Sequence, residues 1–156
     1  MALGRSYGAE TRRRGVAEAR SESALIAHTA IEPLFDGQAL DHGLTPAEDA
    51  SLKRLVTDAI ADRNVLRLRV RDLSGKVLFS DDGSGFNDKP EDESAEAARG
   101  ETIARLTRLN SDNNDLGPRG VAAVEVYRPL LAGAADHQVG VLELYLPYSP
   151  ISREVS

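Results

Sequence analysis

The chain has 156 residues, of which 41% are hydrophobic, 28% charged and only 4% aromatic, enough for one globular domain with a single core. Lys plus Arg number 19 against 25 Asp plus Glu, a formal net charge of -6, which argues against nucleic acid because phosphate binding needs a basic surface. There is no cysteine, hence no disulfide, thiolate metal site or thiol nucleophile, and no apolar run approaches the roughly eighteen residues that span a membrane.

From Glu10 to Leu34 the chain is rich in Ala, Arg and Glu and reads as a long helix, with Pro33 expected to end or kink it. The cluster Arg12-Arg13-Arg14 sits at the wrong end for the helix dipole. It is either a solvated face or a juxtamembrane stretch beside acidic lipid headgroups. Thr45-Pro46-Ala47-Glu48 is a capping box with proline at the first helical position, opening a second helix that should stop near Asp62-Arg63-Asn64. The period then changes to two. Val65–Asp72 and Lys76–Ser80 read as strands joined at Ser74-Gly75, and a two-residue loop would set Arg71 opposite Leu78 and Arg69 opposite Ser80. An acidic loop, Asp81–Asp92, leads to a short helix ending at Gly100. Strands follow at Thr102–Leu109, Val121–Leu131 and Gln138–Pro147. The order predicts an α+β fold, a long N-terminal helix packed on one face of a central five-stranded antiparallel sheet.

Alternation sorts the strand residues onto two faces. Leu66, Leu68, Val70, Val77, Phe79, Ala104, Leu106, Val124, Val126, Leu142, Leu144 and Leu146 form the core face. Arg67, Arg69, Ser80, Arg105, Glu125, Tyr127, Glu143 and Tyr145 form the other. That second face is either a wet sheet surface with cross-strand ion pairs or a polar pocket roofed by the acidic loop. Glu125 and Tyr127 point the same way from one strand, with Arg69, Arg105 and Glu143 beside them and Asp81 and Phe86 at the start of the loop that should close over them. Tyr127→Ala and Glu125→Gln are therefore each expected to weaken ligand binding with little loss of stability. No chemistry for catalysis is apparent: the three histidines lack metal-ligand spacing, and serine-elbow, phosphate-loop and dinucleotide fingerprints are missing. Asp112–Gly117 fails as a calcium loop, since Leu116 and Ala123 fall where ligands are required. The chain reads as a non-enzyme without a cofactor.

Several motifs, in order, carry a resemblance. Asp72-Leu73-Ser74-Gly75-Lys76-Val77-Leu78-Phe79-Ser80-Asp81 resembles the central hairpin of extracytoplasmic PAS-like sensor domains, the Cache superfamily. Ala97-Ala98-Arg99-Gly100-Glu101 is similar to the helix end before their third strand, and Val124–Leu130 and Val139–Tyr145 to their last two strands. The closing Leu144–Ile151 is similar to the sensor regions of membrane-bound bacterial signalling proteins. The resemblance implies a single sensor domain over residues 10–151, preceded by a juxtamembrane segment at 1–9 and followed by a tail at 152–156 that leads to a transmembrane helix in the parent protein. It implies an extracytoplasmic location, a cytoplasmic output such as a diguanylate cyclase, phosphodiesterase or histidine kinase, and a homodimer paired through the N-terminal helix. A structural dimerisation module with no ligand of its own is the alternative. In citrate- and dicarboxylate-sensing relatives cationic residues grip the carboxylates; the matching places here hold Leu78, Asp81 and Glu125, with Tyr127 as the neighbouring aromatic. Acidic residues there would repel a di- or tricarboxylate, so an amino acid, an amine or another small metabolite is the expected ligand. The expected contacts are Arg69, Asp81, Phe86, Arg105, Glu125, Tyr127, Glu143 and Tyr145.

Overall fold

The structure, a computed structural model, describes residues 2–109 and 120–148. Helix α1 runs from Ala2 to Ile26, so it begins well before Glu10. Proline at position 33 supplies no N–H and its ring crowds the carbonyl four residues back, so a regular helix cannot continue through it. The helix widens instead into a π-turn, Ala27–Ile31, with the Glu32 N–H on the Ala27 carbonyl, and then tightens into a 3-10 turn, Glu32–Leu34. Phe35 is extended, which ends the helical segment at Leu34 as the sequence indicates. Helix α2, Pro46–Ala61, has both arms of its capping box: the Glu48 N–H reaches Thr45 Oγ1 at 3.1 Å and the Thr45 N–H reaches Glu48 Oε1 at 2.8 Å.

The strands are β1 Arg67–Arg71, β2 Val77–Ser80, β3 Ile103–Arg108, β4 Ala122–Ala132 and β5 His137–Pro147, with a short helix α3, Asp92–Ala98, between β2 and β3. They form one sheet in the order β2-β1-β5-β4-β3, every neighbouring pair antiparallel. Under one face lie α1, the π-turn and α2. Ala19, Ala27, Ile31, Leu52 and Val56 pack there against Leu68, Val70, Phe79, Val124, Val126, Leu142 and Leu144. Where β4 and β5 shift register between Leu130 and Leu131, the Leu131 N–H is taken by Glu32 Oε2 at 2.7 Å, tying the end of the helical segment to the sheet.

The hairpin differs from expectation by one residue. Gly75, at φ +94°, closes a turn in which its N–H meets the Asp72 carbonyl, and the Asp72 N–H meets the Lys76 carbonyl at 2.9 Å. This is a three-residue loop with a left-handed glycine. Asp72 Oδ1 favours it by accepting from the Ser74 and Lys76 N–H groups, each at 2.9 Å. Arg71 consequently pairs with Val77, and a bulge then restores Arg69 opposite Ser80. The bulge exchanges the roles of two apolar residues. Leu78 packs against the main core, and Val77, expected there, shares the register row of Arg71. Leu106, also expected in the core, is 38% exposed because β3 is an edge strand.

Candidate functional site

The face of the sheet turned away from α1 and α2 carries a two-row lattice of charged and aromatic side chains. Strand register sets one row as Arg67, Tyr145, Glu125 and Arg105, and the next as Ser80, Arg69, Glu143 and Tyr127. A third row begins with Val77, Arg71 and Val141. Alternation along each strand thus places opposite charges and aromatic rings side by side across strands. Arg67 lies 5.9 Å from the Tyr145 ring centroid and Arg71 6.0 Å from that of Tyr127, both within cation–π range.

The face is dry rather than wet. Arg67, Arg69, Arg71, Glu125 and Glu143 are between 1% and 4% exposed and Tyr127 is fully buried. The cover is the 81–91 loop, as expected, together with α3. Ala97 of α3 packs with Tyr127 and Val141 in a second, smaller apolar cluster, flanked by Ala98 and Ile103. At one end Pro90 and Ser94 close against the hairpin, where a Cβ on Gly75 would stand 2.6 Å from Pro90 Cβ. Ser94 Oγ, fully buried, has no hydrogen-bond partner among the described residues.

Burial leaves each charge dependent on its partner. Glu143 Oε1 accepts from Arg71 Nε and Nη2, both at 2.9 Å, and its other oxygen faces Arg69 Nη1 at 3.9 Å. Arg71 Nη1 completes its set on the Gly75 carbonyl at 2.8 Å. Glu125 accepts from Arg105 Nε at 2.7 Å and from the Tyr145 hydroxyl. Its pKa is nevertheless raised, because loss of solvent outweighs the help from Tyr145 and Arg105. Arg105, whose side chain is half exposed, feels less of that penalty; its pKa is raised by Glu125 and by Glu93, 2.8 Å away. The Tyr127 hydroxyl donates to Glu91 Oε2 at 3.0 Å, and burial, then the neighbouring carboxylates, hold the Tyr127 and Tyr145 phenols protonated.

Six of the expected contact residues, Arg69, Arg105, Glu125, Tyr127, Glu143 and Tyr145, occupy the two rows. Asp81 does not face them: its Oδ1 accepts the Leu68 N–H at 2.9 Å and its N–H returns to the Leu68 carbonyl, extending the strand ladder. Burial raises its pKa. Phe86 sits on the covering loop but is 45% exposed. Asp82, next to Asp81, does reach the lattice, its Oδ2 meeting Arg67 Nη2 at 2.8 Å. Arg67 and Arg71 were legible as site residues, since they share the alternation of Arg69. Asp82, Glu91 and Ser94 had no signal beyond lying in an acidic loop and a short helix. Tyr127 packs with Ala97 and Val141 in the second apolar cluster, which argues against the expectation that Tyr127→Ala spares stability. The tail at 152–156 and the Asp112–Gly117 loop lie outside the described residues.

Among the described residues no helix is long and apolar enough to cross a membrane. No protein-family model and no curated protein matches the chain. Solved structures do. The sensor domain of DcuS from E. coli superposes with a TM-score of 0.55 at 16% identity, over 94% of this chain and 98% of that one. A domain of a sensory box/GGDEF family protein from Vibrio parahaemolyticus gives 0.54 at 16% identity, over 94% of this chain and 59% of that one. The ligand-binding domain of the Campylobacter jejuni chemoreceptor Tlp3, in complex with L-valine, gives 0.54 at 14% identity over 88% of this chain and 56% of that one. This chain therefore spans little more than half the length of the latter two. At these identities the likeness is one of fold alone, a fold this chain shares with those sensor and ligand-binding domains.

Proposed function

We propose that the chain is the extracytoplasmic, non-catalytic sensing domain of a membrane-bound bacterial signalling protein, and that it binds a small molecule on the covered face of its sheet. The observation that carries this reading is the roofed lattice itself. Several charged side chains are withdrawn from water in a small domain, which apolar packing would stabilise at least as well, so stability alone is a poor reason for the arrangement. Charges of both signs line the floor, with Arg67 and Arg69 suited to a carboxylate and Glu125 and Glu143 to an ammonium. An amino acid or a small amine fits that mixture, whereas a di- or tricarboxylate would meet the two glutamates. The likeness to sensor domains supports the sensing role, and pairing through α1, whose Leu25 is 63% exposed, would connect it to a dimeric receptor.

A thermal-shift screen of amino acids, amines and carboxylates tests the reading. A ligand at about 100 times its Kd adds roughly 2.7 kcal/mol, which is readily detected. The expected result is stabilisation by one chemical class that is lost in Glu125→Gln. Stabilisation of wild type by none of them overturns the assignment. Sedimentation that finds only monomer at high micromolar concentration argues against pairing through α1.

A further inference from the structure

We infer that Asp82 is a built-in competitor for the ligand: its carboxylate occupies, on Arg67, the place an incoming carboxylate would take, and the 82–85 segment is a strap that must release before binding. This rests on the sensing role proposed above and concerns how that same site is regulated.

The strap is fastened by polar contacts to two buried guanidiniums. Asp82 Oδ2 meets Arg67 Nη2 at 2.8 Å. The other carboxylate oxygen accepts from Ser80 Oγ at 2.9 Å, the Ser84 N–H at 2.9 Å and Ser84 Oγ at 2.6 Å. Ser84 Oγ in turn accepts from Arg69 Nη2 at 2.9 Å. The segment therefore offers neighbouring arginines one carboxylate and one hydroxyl in a preset spacing, bridged to each other. Gly85 completes the fit. With φ +89°, it passes so close to Arg69 that a Cβ there would stand 2.6 Å from Cζ. Only a residue without a side chain lets the backbone lie on the guanidinium.

Other features of the same segment suit release. Gly83 and Gly85 both have positive φ, at 76° and 89°, and a Cβ on Gly83 would touch nothing within 4 Å, so the strap contains glycine backbone that is open at Gly83. Phe86, next in the chain, is 45% exposed. A cover built to stay shut would bury that ring; here it is left for the ligand-bound arrangement. Asp82 is held ionised, since the Ser84 and Ser80 hydrogen bonds and Arg67 outweigh its own burial and lower its pKa. It therefore competes as an anion across the neutral pH range. The ligand class that follows carries at least one carboxylate, matching the amino-acid alternative better than a simple amine.

The test uses acetate, L-alanine and methylamine as probes, titrated at constant ionic strength into wild type, Asp82→Asn and Ser84→Ala. Affinity for a site that must first open is reduced by the fraction that is open, so removing the competitor should tighten binding of acetate and L-alanine by about tenfold or more. Ser84→Ala, which keeps the charge and removes the brace, should give a smaller gain in the same direction, and methylamine should be unaffected. Hydrogen exchange at residues 83–86 of wild type should rise when a carboxylate binds. Equal carboxylate affinity in wild type and both variants overturns the strap, as does a matching gain for methylamine. If Asp82→Asn does not fold, Ser84→Ala and the exchange measurement decide. A carboxylate ligand that binds wild type, Asp82→Asn and Ser84→Ala equally sinks the strap and leaves the sensing role standing. Tighter carboxylate binding in the variants, with no ligand found for wild type in the wider screen, leaves the strap standing and counts against the sensing role.

Discussion

Replacing Glu143 by glutamine isolates the buried ion pair at the centre of the lattice. Glu143 and Arg71 are each 1% exposed, and two hydrogen bonds of 2.9 Å join them. Two unit charges about 4 Å apart interact by about 4 kcal/mol at the effective dielectric of a protein site, and desolvation of both offsets most of that. The cost of removing one charge is different in kind, because Arg71 would keep only uncharged partners such as the Gly75 carbonyl and Arg69 would lose its nearby carboxylate. Breaking such a pair costs about 3–5 kcal/mol. A domain of this size shifts in Tm by about 2–4 °C per kcal/mol, so a fall of roughly 10 °C should accompany it. Urea unfolding of wild type, Glu143→Gln, Arg71→Met and the double variant measures the effect. The double variant should recover part of the loss, since a neutral pair of similar volume leaves no orphaned charge. A loss below about 1 kcal/mol in Glu143→Gln, the range of exposed pairs, refutes the reasoning.

Tyr127→Ala should destabilise by about 3–5 kcal/mol because it empties the second apolar cluster, whereas Tyr127→Phe loses only the Glu91 hydrogen bond and should cost about 1 kcal/mol, both read by chemical denaturation. Gly85→Ala should cost about 1–2 kcal/mol from the left-handed backbone alone, and more from contact with Arg69, with a lowered urea midpoint as the measurement. Asp82 has a folded pKa below its ordinary 3.8, so its contribution is present above that value and is lost as pH falls through the folded value; the acid limb of the stability curve should flatten in Asp82→Asn. Glu125 has a folded pKa above its ordinary 4.5, so its contribution is full below 4.5 and is lost as pH rises through the folded value. Glu125→Gln should therefore gain on wild type across that window, and a difference that is flat with pH contradicts the assigned direction.

Most of the architecture was legible because its signals are local. The capping box at Thr45 and Glu48, the change of period at Val65 and the glycine at the hairpin each depend on a few adjacent residues. The two faces of the sheet followed from alternation, which fails only where a bulge adds a residue, as between Val70 and Arg71. The site was legible as far as the strands carry it. Its floor residues are spaced by the pleat, so Arg69, Glu125, Tyr127, Glu143 and Tyr145 could be grouped without coordinates. The roof obeys no such period. Of two adjacent aspartates, Asp81 turns to the Leu68 N–H and Asp82 to Arg67, a choice made by the turn beyond Ser80 and by Ser84. Nor does any pattern in Asp92–Ala98 announce that Ala97 packs on Tyr127, since alanine favours a helix wherever that helix goes.

The position of β5 between β1 and β4 has a kinetic consequence. Arg71 and Glu143 are 72 residues apart in the chain, and the hairpin β1–β2 meets the rest of the sheet only through β5. Before that docking, β1 displays Arg67, Arg69 and Arg71 on one side with no glutamate opposite them, so like charges oppose the extended strand. Arg67 finds Asp82 just beyond its own hairpin, but the loop closure that brings in β5 must be made before Arg69 and Arg71 meet Glu143, which is the costly order for folding. The domain should therefore fold slowly for its size, with the β4–β5 hairpin forming early and the arginine strand joining last. Adding salt should speed that late step by screening the arginines from one another.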